Sequence, residues 1–346
     1  MIKIEDNVDL LPLNTFGLKG TARRLVTYTE PEDLNDLFAN GTDKWLIGKM
    51  CHAGGGSNLL FMGDYDGTIL KSGIKGIEIL PSSDDDRILV RAGSGVMMDD
   101  LCTDMASRGF WGTENLSGIP GQVGAAAVQN IGAYGVEIAE LIERMEVYDT
   151  VNRTSDAFTA DECGYGYRTS IFKRPPLKGR YIVTAVTLRL SALPHPRLSY
   201  GHLAVRVSAF PTPGEVRREV IAMRDSKLPD WHEYGNAGSY FKNVETDTAV
   251  YDRICAMVAP DLVPSYRLTD GRIKIPTAWF IERCGWKGRQ HGGAAVWEKQ
   301  PLVIVNATGN ATADDIAELE KEIIRSVHDR FSVTIEPEVE KISTRI

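Results

Sequence analysis

Apolar positions recur at helical spacing in four stretches of this chain and alternate at strand spacing in several others. The first helical stretch follows Thr29-Glu30-Pro31-Glu32, which reads as a capping box with proline in the first turn. Leu34, Leu37 and Phe38 form its apolar face, and Gly41 is its stop signal. The second carries Met98, Leu101, Cys102 and Met105 on one side and ends at Gly109. The third lies near 214–226, with Val216, Val220 and Met223 in step. The last begins after Thr312 and aligns Ile316, Leu319, Ile323, Val327 and Phe331 in one stripe.

Strand-like runs fill much of the remainder. WLIGKM precedes a glycine run at 53–58, and LLF follows it, which suggests a small α/β unit. TILKSG, IEIL and RILVRAG alternate with turns up to residue 93. MEVYDT and YIVTAVTLRL bracket a turn-rich segment at 165–173. A proline-rich stretch at 193–203 precedes the third helix, and the chain changes character near Leu228-Pro229. The tail SVTIEPEVEKI alternates like a strand, so it is expected to rejoin an earlier sheet with Glu336 and Glu338 on one face. No internal repeat is visible.

The chain has 346 residues, enough for two or three domains with cores of their own. Its formal net charge is −8 without a long basic run, which argues against nucleic acid or an anionic membrane as partner. An anionic small ligand would need local cations and backbone amides to oppose that field. The acidic N-terminus lacks a signal pattern, and no apolar run approaches the ~20 residues that span a bilayer. A cytoplasmic location is the expectation. Five scattered cysteines without a CxxC pair read as reduced thiols. The six histidines form no metal-binding spacing, so no metal is expected.

Three segments carry candidate chemistry. In AGGGSN, the amides of Gly54, Gly55, Gly56, Ser57 and Asn58 could cradle a pyrophosphate. The run is neither a Walker A loop nor a dinucleotide fingerprint, and a plain loop explains it equally well. Gly118, Pro120, Gly121 and Gly124 form a second small-residue segment, so one extended ligand such as FAD could lie between the two. Tight helix-to-sheet packing is the competing account. In GNAGSYFKN, residues 235–243, Ser239 would sit on a sharp turn near Lys242 and Asn243, or the segment is merely a glycine-rich turn. Arg168 could grip a carboxylate, and a buried carboxyl at Glu338 could act as an acid. His52 beside the glycine run could contact a ligand, although a surface loop is the simpler account.

Taken together, these segments resemble the UDP-N-acetylenolpyruvoylglucosamine reductases. The resemblance rests on NTFG at 14–17, GGGSNLLF at 54–61, IPGQVGAAAVQNIGAYGVE at 119–137 and YRTSIFK at 167–173. It continues through KLPD at 227–230, GNAGSYFKN, GGAAV at 292–296 and EPEV at 336–339. The LSYGHL segment resembles the longer form of the family, which carries a tyrosine loop.

The resemblance implies an α+β chain with a two-subdomain FAD-binding fold of the vanillyl-alcohol-oxidase type and a third α+β substrate domain. The implied divisions are 1–72, 73–222 and 223–330, with 331–346 returning to the flavin-binding part. It implies non-covalent FAD, NADPH as hydride donor, UDP-N-acetylenolpyruvoylglucosamine as substrate, and a monomer or weak dimer. By motif, Ser239, Arg168 and Glu338 would be catalytic. Leu59, Ile119, Gln129, Asn130, Gly132, Ala133 and Tyr134 would join the glycine segments around the cofactor. Tyr167, Tyr200, Lys227, Asn243 and Gln300 would contact substrate. An FAD-linked oxidase tethering its flavin through His52, or an inactive nucleotide-sugar-binding relative, are the competing readings.

The chain departs from the family pattern at Val244, Thr169 and Glu340. Glu340 stands where the family usually has arginine. It is expected to weaken anion binding or raise the pKa of Glu338 unless Lys341 or Arg345 offsets it.

Overall fold

Among the described residues, four sheets of three or more strands, two two-stranded sheets and seven α-helices carry out much of the pattern read from the sequence, with three corrections. The computed structural model describes residues 1–39, 46, 48–84, 86–258 and 262–343. The first sheet orders its strands Lys3–Asp9, Thr21–Tyr28, Tyr65–Ser72, Lys49–His52. Only the first pair is antiparallel. Helix α1, Asp33–Phe38, buries Leu34, Leu37 and Phe38 beside this sheet.

The first correction concerns the start of α1. Its cap position, Glu32, makes no side-chain cap bond. Asp33 organises the turn instead: its Oδ2 accepts the N–H groups of Thr29 at 2.8 Å and Glu30 at 3.0 Å. The N-terminal ammonium lies 2.7 Å from the same oxygen. A charged partner from the chain terminus thus displaces the local capping box. Gly41, and Trp45 and Ile47 of WLIGKM, lie outside the described residues; the end of that run opens the strand Lys49–His52.

The second sheet is antiparallel throughout, in the order Thr154–Thr159, Ile142–Asp149, Tyr181–Ser191, Arg87–Gly93, Ile77–Leu80. Helices α2 (Met98–Ser107) and α3 (Val123–Gln129) share one core with it. The run of small residues in α3 has a steric cause. A Cβ on Gly124 would stand 2.7 Å from the Cβ of Ser94. Helix α4, Pro213–Asp225, is capped by the Thr212 side chain and packs Val216, Val220 and Met223 with Trp111 and Leu203. The 222/223 division therefore falls inside a helix that belongs with the second portion.

The third portion has a four-stranded antiparallel sheet: Asn236–Ser239, Val303–Asn306, Ala294–Val296, Gln290–His291. A smaller sheet orders Val244–Thr246, Ile273–Ile275, Tyr266–Arg267. Helices α5 (Thr248–Met257), α6 (Thr277–Arg283) and α7 (Ala313–Phe331) close it. A reciprocal bond between Thr312 and Asp315 starts α7, and its five-residue stripe is buried. The NTFG segment docks here: Thr15 Oγ1 donates to the Asn236 carbonyl at 2.6 Å. The approach is so close that a Cβ on Gly235 would fall 2.1 Å from the Phe16 carbonyl oxygen.

The tail is the third correction. It forms a strand only at Glu340–Ile342, parallel to Leu59–Phe61 in a separate two-stranded sheet. Residues 332–339 are irregular apart from one bridge at Pro337. The tail still returns to the first portion, directly after the glycine run.

Ile323 lies fully buried in the core of the third portion. Ile323→Ala is expected to cost about 2–5 kcal/mol through lost burial and a residual cavity. Urea denaturation should show a lower midpoint with an unchanged slope.

Candidate active site

The glycine run forms one wall of a groove. Gly54 and Gly55 face the second small-residue segment so closely that added Cβ atoms would stand 2.8 Å from Ala125 Cβ and 2.8 Å from Gly121 Cα. Ser57 Oγ donates to the Pro120 carbonyl at 3.1 Å and holds the two loops together. Gly56 has φ +70°, and a Cβ there would lie 2.0 Å from the Leu13 carbonyl oxygen. Among the described residues, the amides of Gly54, Gly55 and Gly56 donate to no acceptor. Unpaired amides in a glycine turn suit a phosphate-bearing ligand.

The groove holds about 390 Å³. Residues 54–59, Gly124, Gln129 and His52 line it, with Lys173 and Lys178. The other expected cofactor residues stand behind or beyond this wall. The Gly118 amide donates to Asp99 Oδ1 at 2.6 Å, and Pro120 and Gly121 back the cradle. Ile119 packs at the edge of the core of the second sheet. Asn130 is a joint: its Nδ2 donates to Glu137 and to the Gly166 carbonyl, and its Oδ1 accepts from Ala139. Gly132 and Ala133 form a short strand, and Tyr134 meets Tyr200 edge-on at 5.6 Å.

At one end of the groove lies a compact charged cluster. Arg168, in the left-handed region at φ +53°, donates through Nη1 to the Asn130 carbonyl at 3.2 Å and through Nη2 to the Gly132 carbonyl at 2.7 Å. Its Nε lies 3.1 Å from Glu338 Oε1. Gln129 Nε2 donates to the same oxygen at 3.3 Å. Lys173 closes the ring, donating to Gln129 Oε1 and, at 3.2 Å, to the Arg168 carbonyl. Burial pushes the Glu338 carboxyl above the usual carboxylate range, against the opposing pull of Arg168. Burial also lowers the pKa of Lys173.

Glu336 and Glu338 do not share a face. The Glu338 side chain is 12% exposed, whereas that of Glu336 is 71% exposed and pairs with Lys242 at 3.3 Å. Pro337 bridges Phe241 and breaks the alternation.

Ser239 ends a strand and does not sit on a sharp turn. Gly238, at φ +67°, accommodates a register shift between Asn236 and Ser239. The next residue makes the decisive contact: the Glu338 amide donates to the Tyr240 carbonyl at 2.7 Å. Ser239 thus stands one residue from the contact that holds the Glu338 segment. Its residue is exposed, and its hydroxyl has no hydrogen bond among the described residues.

The expected substrate residues come from the second and third portions. The Tyr167 hydroxyl accepts from the Asn243 amide at 3.3 Å, and Asn243 Oδ1 accepts from Thr277 at 3.1 Å. The Lys227 carbonyl accepts from Trp297 Nε1 at 3.0 Å, and Gln300 Oε1 accepts from the Leu302 amide at 3.4 Å. Tyr200 comes from the second portion, packed on Tyr134.

Sequence reasoning missed Lys173 and Lys274. Lys274 Nζ stands 3.6 Å from the centre of the Tyr167 ring while paired with Glu245 at 3.0 Å. YRTSIFK contains Lys173, but only the fold reveals that its ammonium turns back onto Gln129. The compensation expected for Glu340 also differs. Glu340 pairs with Lys178 at 2.5 Å, while Lys341 pairs with Glu320 at 2.8 Å. Arg345 lies outside the described residues.

Comparison with known proteins agrees with this geometry. The FAD binding domain family matches residues 49–152. The family described as UDP-N-acetylenolpyruvoylglucosamine reductase, C-terminal domain, matches residues 230–342. The UDP-N-acetylenolpyruvoylglucosamine reductase of Bacteroides fragilis is 44% identical over 97% of this chain and 99% of its own. That of an Azoarcus species is 40% identical over 97% of each. Among solved structures, the UDP-N-acetylenolpyruvylglucosamine reductase of Thermus caldophilus shares the fold, with a TM-score of 0.68 at 24% identity, over 99% of this chain and 100% of that one.

Gly56→Ala would place a methyl group against the Leu13 carbonyl at a positive φ. It is expected to weaken FAD affinity at least about tenfold by distorting the cradle. Titration of apoprotein with FAD, followed by flavin fluorescence, measures this directly.

Proposed function

The chain belongs to the UDP-N-acetylenolpyruvoylglucosamine reductase family, and from this premise we propose how its own residues carry the reaction. It is an FAD-dependent oxidoreductase that reduces UDP-N-acetylenolpyruvoylglucosamine to UDP-N-acetylmuramate for peptidoglycan synthesis. When bound, FAD supplies the hydride, taken from NADPH, to the terminal carbon of the enolpyruvyl ether.

The observation that carries the assignment of roles is the Arg168–Glu338 pair, seated one residue from Ser239 through the Tyr240 carbonyl. Hydride addition leaves negative charge on the carbon next to the substrate carboxylate. That charge needs donors already in place and shielded from water. Arg168 is oriented by two backbone carbonyls, so its guanidinium is fixed before substrate arrives. Burial raises the Glu338 pKa and so favours its protonated form, which donates to the substrate carboxylate. Ser239, exposed to the cleft with an unengaged hydroxyl, delivers the final proton to carbon. Lys242 acts on this group only through its charge, since its ammonium is turned toward Glu336.

The amides of residues 54–56 hold the FAD pyrophosphate, with Lys173 and Lys178 lending positive charge along the groove. Tyr167, Asn243, Lys227 and Gln300 hold the nucleotide sugar, and Tyr200 covers it. Among the described residues no helix is long and apolar enough to cross a membrane. A cytoplasmic enzyme that supports cell shape and division fits this role.

Ser239→Ala should keep flavin bleaching by NADPH and lose flavin reoxidation by the enolpyruvyl substrate. Anaerobic stopped-flow absorbance separates the two half-reactions, and normal rates in both would remove Ser239 as donor. Product made in heavy water should carry deuterium at the carbon bearing the carboxylate. Reoxidation needs protonated Glu338, whose pKa is raised, so its rate should be sustained at low pH and decline as pH rises through that value. Glu338→Gln should abolish the decline.

His52 lines the same groove, which favours one competing detail, a covalent flavin. Acid precipitation is expected to release all of the yellow colour into the supernatant. Colour retained in the pellet, and lost in His52→Ala, would establish the tether instead.

A further inference from the structure

Lys173 is a half-buried cation whose place beside Gln129 and Arg168 is not explained by the charge it lends to the groove. It closes the turn Ile171–Lys173 and makes no ion pair of its own among the described residues. Its two acceptors are Gln129 Oε1 and the Arg168 carbonyl. An ammonium group can only donate, so Gln129 must present its oxygen to Lys173. That choice turns Gln129 Nε2 toward Glu338. Arg168 Nε approaches the same carboxylate oxygen, Oε1. Glu338 Oε2 has no partner among the described residues.

We propose that Lys173 is a positioning residue which, through the amide of Gln129, fixes the proton of Glu338 on Oε2, the oxygen left for the substrate carboxylate. This rests on the reading of Glu338 as the buried acid. Gln129 Nε2 donates to Oε1 and the Arg168 guanidinium stands 3.1 Å from that oxygen as a charge, so a proton on Oε1 would face an N–H donor and a cation, and Oε2 is the site that remains. Without the ammonium, the Gln129 amide can turn over. Its carbonyl would then accept from Glu338 Oε1–H, and the proton would leave the cleft.

The charged and titratable groups that face Glu338 are Arg168, Lys173 and Tyr167 from the 165–173 segment and Lys242 from the third portion. Glu340 and Lys178 act in turn on Lys173. The charge of Lys173 and the bond from Gln129 both restrain the rise in the Glu338 pKa that burial produces. Removing the lysine therefore raises that pKa further.

The test uses FAD-loaded enzyme and two readouts. Infrared difference spectra taken across a pH series follow the carbonyl stretch of protonated Glu338, assigned by its absence in Glu338→Gln. Stopped-flow absorbance follows flavin reoxidation by substrate. Lys173→Met is expected to move the infrared midpoint upward by about one pH unit. It should also slow reoxidation about tenfold or more at a pH where the group stays protonated. Lys173→Arg should restore both, and Lys173→Gln serves if the methionine variant does not retain FAD.

An unmoved midpoint with a normal reoxidation rate in Lys173→Met overturns the proposal while leaving Glu338 as the acid. A slower rate with an unmoved midpoint that Lys173→Arg fails to restore also overturns it, since the lysine would then only pack. Absence of any Glu338 band in the unsubstituted enzyme removes the reading of Glu338 as a protonated acid, and the proposal with it.

Discussion

One constraint governs the architecture: a carboxyl group must be taken out of water and still be answered by donors. Burying an unpaired carboxylate costs several kcal/mol, so partners gather at one carboxyl oxygen, Oε1, and at the backbone of the residue that carries it. They come from distant parts of the chain. Arg168 and Gln129 belong to the second portion, and the Tyr240 carbonyl that receives the Glu338 amide belongs to the third. Asn58, from the glycine run, donates to the Glu338 carbonyl at 3.2 Å. The three portions therefore meet at one residue. Arg168 at positive φ, the irregular tail and the bulge before Ser239 are local departures from regular structure at this meeting point.

The same requirement resolves an apparent conflict of charge. The chain is acidic overall, yet it handles anions. Cations are concentrated where they act: Lys173 and Lys178 along the groove, Arg168 at its end and Lys242 across the cleft. Glycine amides add dipoles without adding net charge. At Glu340, where the resemblance implies arginine, the acid is paired with Lys178 from the 174–180 loop. The substitution therefore rearranges charge along the groove more than it changes the acid itself.

Periodicity made four of the seven described helices legible because each buries one face against a neighbour, as α7 does with its five-residue stripe; α3, α5 and α6 were not read. The glycine segments were legible as close approaches, and Gly55 against Gly121 is such an approach. What could not be read depends on partners far away in sequence. Ser239 looked like a turn residue because GNAGS is glycine-rich, but Val303 and Thr15 hold the segment as a strand. Glu336 and Glu338 looked like neighbours on one face until Pro337 paired with Phe241. Asp33 supplanted Thr29 because the chain terminus arrived beside it. Lys173 was unreadable for a different reason: its effect lies in the orientation of another residue's amide.

The tail that lays Glu340–Ile342 beside Leu59–Phe61 also sets a schedule for biosynthesis. Glu340, Lys341 and Ile342 line the same groove as the glycine run, so its wall is complete only when both of these segments, far apart in the sequence, have been synthesised. A chain stalled before the tail has the arginine and the glycine run but neither this strand nor the carboxyl group beside Arg168.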